Sequence, residues 1–579
     1  MATTAPARWV RYLPGWWRLT HYERRWLRGD VVAGLALAAY LVPQVMAYGE
    51  LAGLSAVQGL WACVGPLLLY AILGSARQLS VGPESTTALM TAVGIATVTN
   101  GNQALAATAA AALAIAVGLV CLVGWLARLG YVADLLSKPV LIGYMVGIAV
   151  LMIVSQLGKV TGIEVPSGST AAEIAYVITH LDQTHLPTLV LGVSVVIVLL
   201  VGQAVRPKLP WVLIVMVAAA AVVTLIGPER LGLAVVGQVP RGLPVPSLPD
   251  VAELDLGSVL LTAVGIAAVG FTDNVLTGRA FASRQGEQID ASQELLALGA
   301  ANVSAGLFQG FPVSSSGSRT AVVISSGGRT QVAALAALVV VLATLLFLGP
   351  VLATFPMAAL GGVVVYAATR LVDVAGFRRL THFRTSELVL ALATTVAVLA
   401  FDVLYGVAIA IGLSVLNLLR KIVRPHDGIL GFAPGVAGMH DIDDYPDATQ
   451  VPGLLVYRYD APLFFADANN FRTRALRSVD VVESAGEPVR WFVLNAEANI
   501  EIDFTAAETL EELRRELADR GIELALARVK FDVRGDLERA GLIAAIGPEM
   551  VFATLPTAVQ AYRDWVASAP SSAADTDPA

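Results

Sequence analysis

Charge is what this sequence has least of. Asp, Glu, Lys and Arg make up 14% of its 579 residues, where an ordinary soluble domain carries about 25%. The shortage falls on residues 31–419, which hold the long apolar runs. A soluble fold is excluded there, and a polytopic α-helical membrane protein is implied. Cysteine is nearly absent too. Cys63 and Cys121 both sit in apolar runs and read as small packing residues, which leaves no disulfide framework and no zinc site. None of the six histidines lies in the core of an apolar run, and the chain has no HExxH, CxxC or phosphate-binding loop. No nucleophile–His pair is legible either. The reading is therefore not an enzyme, with no catalytic residue, no cofactor and no metal. Residues 1–30 also lack the short apolar core of a signal peptide.

The apolar runs form fourteen spans or half-spans, seven between 31 and 227 and seven between 256 and 419. The third (83–98) and the tenth (313–325) are too short to cross ~30 Å of hydrocarbon as helix. Near the end, 386–401 and 403–419 read as two separate spans. Seven followed by seven sets the halves in opposite orientations, the inverted-repeat plan of many secondary transporters. With the N-terminus inside, the inner loops and their flanks hold 18 Lys and Arg, and the outer loops hold three: Lys159, Arg230 and Arg241. That bias predicts a multi-pass protein of the inner (plasma) membrane with both termini cytoplasmic. The net charge of −7 says little about partners, because the two membrane faces differ. Trp16, Trp17 and Trp26 among six arginines in 1–30 suit a lipid-headgroup anchor.

Two segments break the apolar pattern, 79–90 (LSVGPESTTALM) and 311–322 (FPVSSSGSRTAV). Unsatisfied backbone is tolerated at membrane depth only where it lines a protein-enclosed cavity. A pair of such segments in corresponding positions of two halves points to a transporter's substrate site. Pro83 and Pro312 are 229 residues apart, and so are Gln44 and Asp273. Two opposed half-helices would aim two N-termini, with their free N–H groups and partial positive charge, at one point. Ser85, Thr86 and Thr87 add hydroxyls from the first, and Ser316 and Ser318 flank Gly317 in the second. Arg319 is the one basic residue expected in the membrane core, and its fork suits an oxyanion. A purely structural alternative pairs it with Glu84 or Asp273. Gln44, after Pro43 in the first span, is expected to orient substrate, whereas Tyr40 and Tyr48 are expected to pack.

Glu84 and Asp273 are the acids placed in the core. Beside an anion site, such a group can carry a coupling proton or help bind Na⁺. Glu84 also fits a helix-capping role. Asp273, on a full helix, has no such role to explain it.

The first 30 residues form a cytoplasmic segment, 31–424 the transmembrane domain and 425–452 a Gly-, Pro- and Asp-rich linker. From 453 to 568 strands and helices alternate, which predicts a small α/β domain. The tail, 569–579, has a disordered composition.

The sequence resembles the SulP family of anion transporters, the solute carrier 26 type. The resemblance rests on 30–35 (DVVAGL) through 42–54 (VPQVMAYGELAGL), on 73–83 (LGSARQLSVGP) and on 272–273 (TD). It continues through 278–282 (GRAFA), 289–299 (IDASQELLALG) and 311–319 (FPVSSSGSR), and the tail is similar to that family's STAS domain. It implies a 7+7 fold with core and gate domains working by an elevator-like movement. The anion site then lies at Ser85–Thr87 and Ser316–Arg319, with Asp273 at a position that is often Glu. It also implies that stretch 502–506 (IDFTA) matches a region where STAS relatives carry a phosphorylatable residue. Thr505 stands roughly there, and as an N-cap it would have a structural reason to be Thr.

The expected function is proton-coupled import of an inorganic oxyanion, with sulfate favoured by resemblance. The expected partners are that anion, H⁺ or Na⁺, membrane lipid, a second copy in a homodimer, and a cytoplasmic ligand or protein at the STAS domain. The alternatives are Na⁺-coupled bicarbonate transport, anion exchange, and a membrane-anchored STAS regulator that transports little.

Overall fold

The computed structural model describes residues 12–568 apart from 135, 136, 167, 168, 208, 238–241, 284, 285 and 424. The expected disordered tail and residues 1–11 of the N-terminal segment lie outside the described residues. The chain divides into two compact units, Met1–Ser414 and Val415–Ala579.

The first unit is helical. Its principal helices are α1 (Leu27–Leu51), α2 (Ala56–Leu73), α3 (Ser85–Val98), α4 (Ala106–Leu126) and α5 (Lys138–Ser155). Next come α6 (Leu186–Val205), α7 (Trp211–Ile226), α8 (Leu256–Ser283), α9 (Ala291–Leu307) and α10 (Gly317–Ser325). The series ends with α11 (Val332–Phe347), α12 (Met357–Leu371) and α13 (Thr385–Val423). Short helices at Thr170–Thr179 and Val374–Phe383 occupy stretches read as loop. Glycine and alanine set how closely the helices approach. A Cβ on Gly118 of α4 would lie 2.7 Å from the Gly299 carbonyl of α9, and one on Gly306 2.5 Å from the Ala111 carbonyl. Contact of this kind is what small residues provide in a bilayer, where lipid competes for apolar faces. Elsewhere the apolar side chains face outward, as with Val190, Ile197 and Val201 of α6.

Helix α13 runs for 39 residues, yet it is not straight. A Cβ on Gly406 would stand 2.7 Å from Cα of Val398, two positions that a straight helix separates by about 12 Å. The chain therefore doubles back between them. Both arms reach α5: Thr395 Oγ1 donates to the Gly143 carbonyl at 2.8 Å, and the Ser137 N–H donates to Ser414 Oγ at 3.1 Å. The two apolar runs at 386–401 and 403–419 are arms of this hairpin.

The second unit holds a six-stranded sheet in the order β4-β3-β5-β6-β7-β8. Its strands are β3 (Asp427–Phe432), β4 (Met439–Asp441), β5 (Leu454–Tyr459), β6 (Trp491–Asn495), β7 (Glu523–Ala527) and β8 (Val551–Phe552). Strands β5 to β8 run parallel, while β3 is antiparallel to both neighbours. The helices are α14 (Ala468–Ser484), α15 (Phe504–Asp519), α16 (Phe531–Arg539) and α17 (Leu555–Ser568). Apolar clusters cover both faces of the sheet. The linker expected at 425–452 is corrected: β3 and β4 are part of this sheet. Asp427 fastens β3, accepting from Tyr457 Oη at 2.6 Å and pairing with Arg474 at 2.6 Å. Burial, then the bond to Asp427, holds the Tyr457 hydroxyl well above its ordinary pKa. A Gly- and Asp-rich composition hid the β3–β4 hairpin and its pairing with β5.

Candidate functional site

Both broken segments are extended chain followed at once by a helix. Strand β1 (Val81–Gly82) leads into α3, and strand β2 (Ser314–Ser315) leads into α10. The two strands pair antiparallel, Val81 opposite Ser315 and Gly82 opposite Ser314. Two further bonds extend the pairing: the Ser316 N–H donates to the Ser80 carbonyl at 2.9 Å, and the Ser80 N–H donates to Thr320 Oγ1 at 3.0 Å. Backbone that hydrocarbon would leave unpaired is thus paired with the other half. Asn302 of α9 pins the approach to β2, accepting from the Val313 N–H at 2.8 Å and donating to its carbonyl at 3.0 Å. Helices α3 and α10, of 14 and nine residues, are too short to span as helix.

The two helix N-termini differ. On α3, Glu84 is the N-cap; its Oε2 accepts from the Thr86 N–H at 2.7 Å and its Oε1 from Ser85 Oγ at 2.5 Å. Thr87 Oγ1 donates to the Glu84 carbonyl at 3.1 Å. On α10 no side chain caps the end. Its first-turn N–H groups, on Gly317, Ser318 and Arg319, are the orphan donors of a helix start. Ser318 is exposed and Gly317 half-buried, so solvent reaches this end, and Ser316 Oγ lies 3.2 Å from Ser318 Oγ.

Arg319 is fully buried. Its Nη1 donates to the Pro83 carbonyl at 2.6 Å and reaches Gln44 Oε1 at 3.4 Å, and its Nε reaches Ser80 Oγ at 3.4 Å. Nη2 has no protein partner. The expected alternative, a pairing with Glu84 or Asp273, is not the arrangement found, because the partners are a carbonyl, an amide and a hydroxyl. Gln44 is held in turn by donating to Tyr48 Oη at 2.9 Å. Tyr40, read as packing, is half-buried against the apolar core.

Asp273 enters from α8. Gly270, Asp273 and Thr277 lie three and four residues apart, on one helix face. That face meets both half-helices. A Cβ on Gly270 would stand 3.7 Å from Ser314 Cβ and 3.8 Å from Thr87 Cγ2, and one on Gly317 3.8 Å from Thr277 Cγ2. Ser314 Oγ donates to the Gly270 carbonyl at 3.0 Å. The half-buried Asp273 carboxylate faces Ser314 and Thr277, with Glu84 in its field.

All ten membrane residues singled out from sequence therefore meet around β1, β2, α1, α8 and the two helix starts. The sequence did not single out Ser80, the Pro83 carbonyl, Asn302 or the buried Glu294 of α9. Asn302 and Glu294 could have been found as polar residues inside an apolar run. The role of a backbone carbonyl has no sequence signal. In the second unit Thr505 is not the N-cap of α15. Asp503 is, accepting from the Ala506 N–H at 2.8 Å, and Thr505 stands exposed in the first turn. Asp was the stronger capper, two positions earlier.

Comparison with known proteins identifies the family and the fold. The model of the sulfate permease family matches residues 27–394, and that of the STAS domain matches 445–558. A probable sulfate transporter of Mycobacterium tuberculosis is 53% identical over 561 residues, covering 97% of this chain and 99% of the relative. Among solved structures, the murine solute carrier 26 member A9 anion transporter in the inward-facing state superposes with a TM-score of 0.87. It is 23% identical, over 97% of this chain and 96% of that one. The transmembrane domain of a cyanobacterial bicarbonate transporter gives 0.60 at 23% identity, over 68% and 98%. At these identities the structures establish likeness of fold.

Proposed function

Because the chain belongs to the sulfate permease family, we propose that it is a secondary active transporter that imports sulfate with protons. The observation that carries the reading is the uncapped start of α10 beside Arg319, whose Nη2 is buried without a partner. An oxyanion there would accept from the N–H groups of Gly317 and Ser318, from hydroxyls, and from a guanidinium that no carboxylate neutralises. Glu84 and Asp273 supply the opposite charge. Asp273 serves as the coupling site, since Glu84 is already engaged as a cap.

The two strands and two short helices move as one piece in this reading, because the β1–β2 pairing and the Arg319–Pro83 bond join the halves. That suits elevator-like movement of an intact site, with both termini cytoplasmic. The exposed Thr505 is a regulatory position on the STAS domain. The relative named a probable sulfate transporter supports sulfate; the neighbour titled a bicarbonate transporter keeps Na⁺-driven bicarbonate uptake as the second reading.

The test is uptake of radiolabelled sulfate into proteoliposomes, with an inward proton gradient on or off and with bicarbonate or unlabelled sulfate as competitor. Gradient-driven uptake blocked by sulfate alone is expected. Na⁺-dependent bicarbonate flux without sulfate flux would replace both substrate and coupling ion.

A further inference from the structure

A fully buried carboxylate lies in the same unit, away from the two helix starts. Glu294 of α9 is 0% exposed and is the acceptor for four donors on two other elements. Its Oε1 accepts from the Ser75 N–H at 2.9 Å and from Ser75 Oγ at 2.7 Å. Its Oε2 accepts from Asn274 Nδ2 at 2.7 Å and from Tyr70 Oη at 2.9 Å. Ser75 stands just past α2, at the head of the segment that becomes β1. Asn274 is the residue after Asp273 on α8.

The Ser75 N–H and the Asn274 Nδ2 can only donate. Ser75 Oγ accepts from the Asp290 N–H at 3.2 Å, so its own proton is left for Glu294. The geometry therefore ties one carboxylate to α2, to the lead-in of β1 and to α8 at once. The same bonds orient Asn274 with Nδ2 toward Glu294 and leave its Oδ1 buried without a partner.

We infer that Glu294 is a positioning residue for the transport site. Its carboxylate fixes the rotation of α8 about Asn274, and so the aim of Asp273. It also fixes the lead-in to β1 at Ser75, and so the placing of the α3 start. The neighbouring Gln293 reinforces the second function, donating through Nε2 to the Leu73 carbonyl at 2.7 Å. The inference rests on the reading of β1, β2 and Asp273 as the transport site.

The test is a charge swap in the full chain, read on radiolabelled sulfate and, as a second probe, radiolabelled bicarbonate uptake. Asn274→Asp alone sets two carboxylates against each other at the distance of the present bond. It should raise the half-saturating anion concentration at least about tenfold, with size-exclusion behaviour unchanged. Adding Glu294→Gln restores a donor–acceptor match: the amide donates to Asp at 274 and its oxygen still accepts from Ser75. The double variant should return within about threefold of the parent. If Asn274→Asp does not reach the membrane folded, recovery of folded, transporting protein in the double variant carries the same weight. A silent Asn274→Asp, or a double variant no better than the single, overturns the inference. Asp273→Asn is run beside it. Unchanged ion dependence there would sink the coupling reading alone, and bicarbonate flux without sulfate flux would change the substrate while leaving the swap readable.

Discussion

Nη1 of Arg319 donates to the carbonyl of Pro83 at 2.6 Å, joining two residues 236 positions apart across the antiparallel β1–β2 pair. The same guanidinium thus does two jobs: one nitrogen holds the halves together, and another is left unpaired. A single residue that both assembles the site and presents positive charge in it explains why one Arg suffices; among the described residues no other Lys or Arg is buried.

The two jobs separate by substitution. Arg319→Lys keeps the charge but offers a point ammonium rather than a fork. It can satisfy the Pro83 carbonyl or face the anion, and not both. Half-saturation for sulfate should rise about tenfold or more with protein yield retained, since one charge-assisted bond is worth roughly 1.5–3 kcal/mol. Arg319→Gln should lose uptake altogether. Equal half-saturation for Lys and Arg at 319 would remove the guanidinium from substrate contact.

Glu84 and Asp273 should behave differently despite their similar chemistry. Glu84→Gln keeps an oxygen to cap the Thr86 N–H, so the cost is that of a weakened cap, at most about 0.5–2 kcal/mol, and proton-gradient dependence persists. Asp273→Asn removes the only titrating group on the 270–273–277 face of α8, and uptake should become independent of the gradient. Uptake by each variant with the gradient on and off checks this. Reversed outcomes would exchange the roles of the two acids.

How much of this was legible beforehand depended on the range of the interaction. The spans, the two interruptions and the residues on them follow from hydropathy and from Gly, Pro and Ser placement, which are local. Glu84 as a cap was legible because a carboxylate after proline at a helix start has one local use. Arg319 bonding to a carbonyl was not, since backbone carries no identity in a sequence. The doubling back of α13 between Val398 and Gly406 showed only as a join between apolar runs. Strands β3 and β4 were hidden because they are short: Tyr457 and Arg474 fasten β3 through Asp427, and β4 adds only to the edge of β3.

Glu50, at the end of α1, pairs with Lys159 beyond α5 at 3.1 Å, with the lysine also reaching the Glu50 carbonyl at 3.4 Å. Helix α1 carries Gln44. Movement of the site relative to α5 therefore has to break this half-buried pair. Glu50→Gln should raise the maximal uptake rate about twofold while leaving half-saturation unchanged, as removal of a pair worth ~1 kcal/mol at most predicts. Glu50→Lys with Lys159→Glu should restore the parent rate. A change in half-saturation instead would mean that the pair shapes the site rather than restraining α1.

In the STAS domain the informative group is Asp467. It is fully buried; Oδ1 accepts from the Phe464 N–H at 2.9 Å and Oδ2 is buried without a hydrogen bond. Burial, opposed by the backbone bond, pushes its carboxyl above the ordinary aspartate value, and Asp503 adds to the rise. The folded domain therefore holds this proton more tightly than the unfolded chain does. Between the ordinary value and the raised one, stability falls as pH rises, and the deficit persists at neutral pH. Asp467→Asn keeps the acceptor for Phe464 and removes the buried charge, whose desolvation outweighs that of a neutral amide. The variant should melt higher than the parent at neutral pH, and the two melting curves should converge as pH is lowered into the carboxylate range. Thermal denaturation of the soluble fragment from residue 426 to 568 across that range measures both. A variant that melts lower at neutral pH would mean that the Asp467 charge is compensated in the folded domain by a partner such as Tyr459.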